Sequence, residues 1–239
     1  MKKSRFSLLT GHRAAELTHC HLPEDFTVTA HAGSLGTKDN SLESLQVGLD
    51  NADIIEFDLQ FTEDGAPVLS HNSPKPDAVP LRDAFALLAK YPQKKANIDI
   101  KSTANLPEIE RLAQEYGVLD QIFLTGVGED FVAAVQRDCK QIPYYLNYNP
   151  KKHKTNAAYL QSLVDKVKAC GAIGINSNLR GGSVQLSKAF HDAGLLVSLW
   201  TANSAKDIRK SVHSEPDNVT SRIPDQVRAY VEEHAVRND

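Results

Sequence analysis

Cysteine is scarce in this chain, with Cys20, Cys139 and Cys170 the only three among 239 residues. An odd, widely spaced set excludes a disulfide framework and suits a reducing compartment. His19-Cys20-His21 brings common metal ligands together, but no second Cys or His cluster stands at zinc spacing. Long apolar runs are missing too: nothing approaches the ~18 residues of a membrane span. The run Phe6-Ser7-Leu8-Leu9 behind Lys2-Lys3 stops at Gly11-His12-Arg13, too soon for the apolar segment of a signal peptide. The sequence therefore predicts a cytoplasmic protein. Excess charge of one sign is also lacking. The net charge of −3 supplies no basic footprint for nucleic acid and no polybasic element for anionic membranes. A small-molecule substrate is the expected partner, and nothing in the sequence specifies self-association.

What is present is an ordinary globular composition, 41% apolar and 24% charged, enough to build a core without staples. No Pro/Gly/Ser linker divides it, so one domain over 1–239 is expected, with residues 1–25 as an N-terminal arm. From Phe26 onward, short β-branched runs alternate with helical patterns of 10–15 residues, the signature of βα units around a parallel sheet. Strands are predicted at Val28–Ala30, Ile54–Leu59, Ala96–Ile100, Gln121–Leu124, Ile142–Leu146, Ala172–Ile175, Leu195–Leu199 and Asn218–Thr220. Helices are predicted at Ser41–Asn51, Leu81–Lys90, Leu106–Glu115, Glu129–Asp138, Ala157–Cys170, Ser183–Ala193, Ala205–His213 and Pro224–His234. Ser204 is placed to cap a helix start, and Gly117, Gly171 and Gly194 fall at helix stops. Eight such units fit a closed TIM (β/α)8 barrel of ~250 residues. One segment breaks the rhythm. Thr62-Glu63-Asp64-Gly65 before Ala66-Pro67-Val68-Leu69 reads as a tight hairpin that returns His71 to one end of the barrel.

In such a barrel the chemistry gathers at the C-terminal strand ends. His31 ends the first predicted strand, Glu56 and Asp58 lie near the end of the second, Asp99 and Lys101 end the third, and Trp200 ends the seventh. Glu56 and Asp58 stand two apart on a strand and share its inward face with Asp99. Two carboxylates ~4 Å apart repel by about 4 kcal/mol at an effective dielectric of ~20. Three are tolerated if they hold a hard divalent cation, Mg²⁺ or Ca²⁺ by their all-oxygen chemistry, or if Lys101 and nearby arginines pair with them. His31 and His71, alone, read equally as structural histidines; beside the acids they suit general acid and base work. Lys101 adds a fixed positive charge, and the set fits a monoanionic phosphodiester.

These residues resemble the glycerophosphodiester phosphodiesterase family. The matching elements are His31-x-Gly33, Asn40-Ser41, Glu56-x-Asp58, Thr62-x-Asp64-Gly65-x-Pro67-Val68, His71, Asn97-Ile98-Asp99-Ile100-Lys101, Trp200-Thr201-x-Asn203 and Thr220-x-x-x-Pro224-Asp225, in family order. The resemblance implies a barrel of the PLC-like phosphodiesterase type. It implies a divalent metal on Glu56, Asp58 and Asp99, and His31 and His71 as the acid/base pair. It places Lys101, Asn40, Asp39 and Trp200 around the substrate, Trp200 as an apolar wall for the alcohol or else as plain packing. The activity implied is metal-dependent hydrolysis of a glycerophosphodiester such as glycerophosphocholine to an alcohol and sn-glycerol 3-phosphate.

The chain departs from the family at Ala32, where an arginine is usual, at Asp39 and Asp99, where glutamates are usual, and at Asn72, where an aspartate is usual. Between His71 and Asp99 it also lacks the small helical insertion that covers the site in family enzymes, which predicts a more open mouth. The same barrel without that insertion occurs in sphingomyelinase D-like phospholipases. A phospholipase D-like or cyclising lyase activity on lysophospholipids is therefore the alternative. A catalytically weakened phosphodiester-binding protein is another.

Overall fold

The computed structural model describes residues 20–236. His19 and most of the expected arm lie outside the described residues. Eight parallel strands form the barrel: β1 (Thr27–Ala30), β2 (Ile54–Phe61), β3 (Lys95–Ile100), β4 (Ile122–Val127), β5 (Tyr144–Asn147), β6 (Gly174–Asn178), β7 (Leu196–Trp200) and β8 (Asn218–Ser221). Each pairs in parallel with its sequence neighbour, and β8 pairs with β1 to close the ring. Among the described residues the α-helices are α1 (Leu42–Asn51), α2 (Leu81–Leu88), α3 (Leu106–Glu115), α4 (Glu129–Asp138), α5 (Ala157–Ala169), α6 (Val184–His191), α7 (Ala205–Val212) and α8 (Pro224–His234). This is the (β/α)8 barrel that the alternation predicts.

Local chemistry fixes the helix ends. The side chains of Ser41, Asn156, Ser183 and Ser204 accept hydrogen bonds from backbone N–H groups in the first turns of α1, α5, α6 and α7. Each satisfies a donor that the helix itself leaves unpaired. Gly171 and Gly194 close α5 and α6 with φ of 67° and 71°, a conformation that glycine adopts without strain.

β2 shows how one strand serves two environments. Ile55, Phe57 and Leu59 point outward and are buried with Leu45 and Leu49 of α1 and with Leu81, Phe85 and Leu88 of α2 in the main core. Burying each of these side chains contributes roughly 1.5–3 kcal/mol. Ile54, Glu56 and Asp58 alternate to the interior. Ile54, Phe123 and Tyr145 form a separate apolar cluster inside the barrel, with the Phe123 and Tyr145 rings edge to face at 5.4 Å. Polar side chains occupy the interior as well: Thr29 donates to Asn218 at 2.8 Å, and Asn218 donates to Ser198 at 3.0 Å.

The predicted hairpin is present. Pro67–Leu69 runs antiparallel to Leu59–Phe61 at the end of β2, and a short strand Val79–Pro80, not foreseen, pairs with it in turn. The connection from His71 to α2 contains no helix, so the expected insertion is indeed absent. At the other end of the molecule Cys20–His21 pairs in parallel with Ala235–Val236. Among the described residues no helix is long and apolar enough to cross a membrane.

Candidate active site

A cavity of about 760 Å³ opens at the C-terminal ends of the strands, lined by both histidines, the three acids, Asp39, Lys101 and Trp200. Every sequence-predicted site residue except Asn40 therefore contributes to one lining. Asn40 stands behind it. Its Nδ2 donates to Asp58 Oδ2 at 2.9 Å, and its Oδ1 accepts from the Asp58 N–H at 3.0 Å. Both amide atoms thus help to orient Asp58. Asn40 takes φ of 57°, a left-handed conformation for which asparagine is among the best-suited residues after glycine.

Glu56, Asp58 and Asp99 each bring an oxygen within 4.8 Å of the others. Glu56 and Asp58 are 5% and 4% exposed, so their repulsion is poorly screened. Burial, followed by the neighbouring Asp99 and Asp58 charges, pushes the Glu56 carboxyl well above the usual carboxylate range. The Ala32 N–H donates to Glu56 Oε2 at 2.9 Å and partly offsets this. Lys101 bridges the other two acids, with Nζ 2.8 Å from Asp58 Oδ1 and 2.6 Å from Asp99 Oδ2. Burial alone would lower the Lys101 ammonium, but Asp99 and Asp58 outweigh it and hold it above the usual lysine range. The lysine pairing expected as the alternative to a metal is therefore real.

It does not exhaust the acids. Asp99 Oδ1 is buried and has no hydrogen-bond partner among the described residues. Three convergent carboxylates with only Lys101 between two of them still carry excess negative charge. An all-oxygen donor set with an unsatisfied buried oxygen fits a hard divalent cation.

The two imidazoles are held differently. His31 Nδ1 lies 2.9 Å from the Ala32 carbonyl, which requires Nδ1 to carry the hydrogen, and 3.7 Å from Glu56 Oε2. That tautomer leaves Nε2 as a proton acceptor. His71 Nδ1 lies 3.3 Å from Asn72 Oδ1, so a neutral amide stands beside it where a carboxylate is usual in the resembling family.

Sequence reasoning missed Arg222, just past the end of β8. Its guanidinium meets Asp39 at two points, Nη1–Oδ1 at 2.8 Å and Nη2–Oδ2 at 2.7 Å. The ion pair holds the Asp39 carboxyl below the usual range, chiefly through the hydrogen bonds to Arg222. Asp39, expected to touch substrate, thus has both oxygens engaged with Arg222. Gly33 makes room for the pair: a Cβ there would fall 1.9 Å from Asp39 Oδ1 and 2.5 Å from Arg222 Nη1. Thr125, Asn147 and Asn176 were missed as well, and Asn97 entered only as part of a matching motif; all four line the cavity. Ala32 is buried at 1% exposure and makes no part of the lining.

A model of the glycerophosphoryl diester phosphodiesterase family matches residues 12–75, the segment that carries His31, Asp39, Glu56, Asp58 and His71. Over that segment the chain is similar to this family. Asp99, Lys101, Trp200 and Arg222 lie beyond the matched segment. No curated protein sequence matches the chain.

Solved structures agree on the fold. A Silicibacter pomeroyi protein provisionally named as a glycerophosphoryl diester phosphodiesterase superposes with a TM-score of 0.75 at 17% identity, over 92% of this chain and 97% of its own. A phosphodiesterase of Oleispira antarctica, in complex with the product sn-glycerol-3-phosphate, gives 0.68 at 18%, over 88% and 97%. A glycerophosphodiester phosphodiesterase of Agrobacterium tumefaciens gives 0.68 at 16%, over 85% and 99%.

Proposed function

We propose that the chain is a metal-dependent phosphodiesterase that hydrolyses glycerophosphodiesters to an alcohol and sn-glycerol 3-phosphate. The observation that carries this reading is the meeting of two imidazoles, three carboxylates and two cationic side chains in one cavity. The product named in the Oleispira antarctica complex supports the choice of substrate class. Glu56, Asp58 and Asp99 would hold Mg²⁺ or Ca²⁺, which supplies Lewis-acid polarisation of the phosphoryl oxygens. Lys101 and Arg222 balance the remaining phosphate charge, and Arg222 offers the planar fork that suits phosphate oxygens. One imidazole would take a proton from the attacking water, and the other would give a proton to the leaving alkoxide. The His31 Nε2 is free to do the former, because its Nδ1 hydrogen is committed to Ala32.

The direct connection from His71 to α2 favours a second reading, cyclising attack by a substrate hydroxyl on a lysophospholipid, since no helical cap covers that side of the mouth. Phosphorus NMR of the product separates the two. Glycerol 3-phosphate formed from glycerophosphocholine, and abolished by chelator, supports hydrolysis; an accumulating cyclic phosphodiester overturns it. No turnover of any phosphodiester with Mg²⁺ or Ca²⁺ would leave the chain a phosphodiester-binding protein.

A further inference from the structure

The side of the cavity away from Glu56 is a wall of neutral amides. Asn97 of β3, Thr125 of β4, Asn147 of β5 and Asn176 of β6 stand on four consecutive strands and line the same space as the acids. Their bonds to one another run in one direction. Thr125 Oγ1 donates to Asn97 Oδ1 at 2.7 Å, while the Gly126 N–H and Asn176 Nδ2 donate to Asn147 Oδ1 at 3.0 and 3.2 Å. The amide oxygens of Asn97 and Asn147 are thereby used, and their Nδ2 groups donate to no described residue. Asn176 is the reverse case: its Nδ2 is used, and its Oδ1 is buried with no partner among the described residues, in a residue 6% exposed.

Buried polar atoms are nearly always paired, so an orphaned acceptor beside unengaged donors calls for a group that both gives and takes hydrogen bonds. A hydroxyl does both. Gly126 joins this wall to the acids: with φ of 76°, a Cβ there would fall 2.5 Å from Asp99 Oδ1. The wall carries no charge and no aromatic face, so it has nothing that attracts a quaternary ammonium.

We propose that Asn147 and Asn176, supported by Asn97, form a polyol subsite that reads neighbouring free hydroxyls of the substrate. The hydroxyls come from the glycerol half of the diester or from a polyol head group. The inference rests on the phosphodiesterase reading for its place beside the phosphate, but its test does not require turnover.

Titration calorimetry of the full chain with Mg²⁺ compares sn-glycerol 3-phosphate with propyl phosphate, which lacks both hydroxyls. The wild type is expected to bind glycerol 3-phosphate about tenfold or more tightly in preference, because sites built to bond a hydroxyl reject analogues without it. Asn147→Ala and Asn176→Ala should shrink that ratio to about twofold. Asn147→Asp retains the acceptor for Gly126 and Asn176 and guards against a variant that merely fails to fold. It should lose the preference too. A ratio that survives in all three folded variants, or is absent in the wild type, overturns the proposal.

Turnover distinguishes the source of the hydroxyls. If Asn147→Ala raises KM equally for glycerophosphocholine and glycerophosphoglycerol, the glycerol half is read; if only for the latter, the head group is. Turnover without hydroxyl discrimination sinks the subsite and spares the hydrolytic reading. Discrimination in binding without any turnover does the opposite.

Discussion

Arg222 and Asp39, 183 residues apart in the chain, grip each other at two points and join the loops that follow the neighbouring strands β8 and β1. The aspartate fixes the guanidinium while Glu56 and Asp58 also act on its charge, so the arginine faces the acid pocket without being bonded to it. Its remaining N–H groups are available to a phosphate.

Arg222→Gln is therefore expected to lower kcat/KM by about 10- to 100-fold, mainly through KM, on the scale of a lost charge-assisted bidentate contact. Asp39→Asn should do less, since the guanidinium stays but loses its anchor. Steady-state kinetics on glycerophosphocholine checks both, and wild-type kcat/KM in Arg222→Gln would remove the arginine from the site. Gly33→Ala is expected to imitate Arg222→Gln, because its Cβ would displace the ion pair.

Replacing either histidine should remove general acid or base catalysis while leaving the fold intact. A loss of about 10²- to 10⁴-fold in kcat is expected for His31→Ala and for His71→Ala. Circular dichroism and the melting temperature should stay at wild-type values. Full activity in both variants would refute the assigned chemistry.

Lys101 competes for the oxygens a cation would use. Lys101→Met is expected to tighten Mg²⁺ binding in calorimetry and yet to reduce turnover, because the charge that balances the phosphate is gone. Glu56→Gln should weaken Mg²⁺ binding. If Lys101→Met left the Mg²⁺ affinity unchanged, the lysine and the ion would not share a site.

His191 and Asp217 give a pH signature away from the mouth. His191 Nε2 lies 2.9 Å from Asp217 Oδ2, and that bond, opposed by burial and aided by the Asp217, Asp192 and Glu215 charges, raises the imidazole above its ordinary value of 6.5. A raised folded-state value stabilises the fold fully below the unfolded value and is lost as pH rises through the folded one. His191→Gln should cost about 0.5–1 kcal/mol, or roughly 1–4 °C in Tm, in acid conditions and close to nothing well above neutrality. Thermal melts across pH test the sign; an equal cost at every pH would contradict it.

The barrel was legible in the sequence because each strand–helix unit carries its own punctuation, such as Ser204 before α7 and Gly194 after α6. The eight strands fall where the β-branched runs predict them. Their ends differ by a few residues, since the pairing partner, not the local sequence, decides where a ladder stops. His31, Glu56, Asp58 and Asp99 were legible because each sits at a strand end with a charge or imidazole that packing alone does not require. Arg222 was not, because the partner that aims it lies 183 positions away. Asn40 was legible as a site candidate, but its bonds to Asp58 were not, since a side chain that grips a neighbouring acid and one that faces substrate look alike in sequence. Asn147 and Asn176 escaped for another reason: an asparagine alone on a strand carries no mark of the cavity it faces.

The small parallel ladder between Cys20–His21 and Ala235–Val236 brings the two ends of the described chain side by side, next to Glu215 in the loop that precedes β8. That loop lies at the face of the barrel opposite the mouth. An affinity handle, a fluorophore or a peptide linker joining residue 236 back to residue 20 would thus hang beneath the barrel. Anything attached there stays clear of the rim that carries His31 and His71.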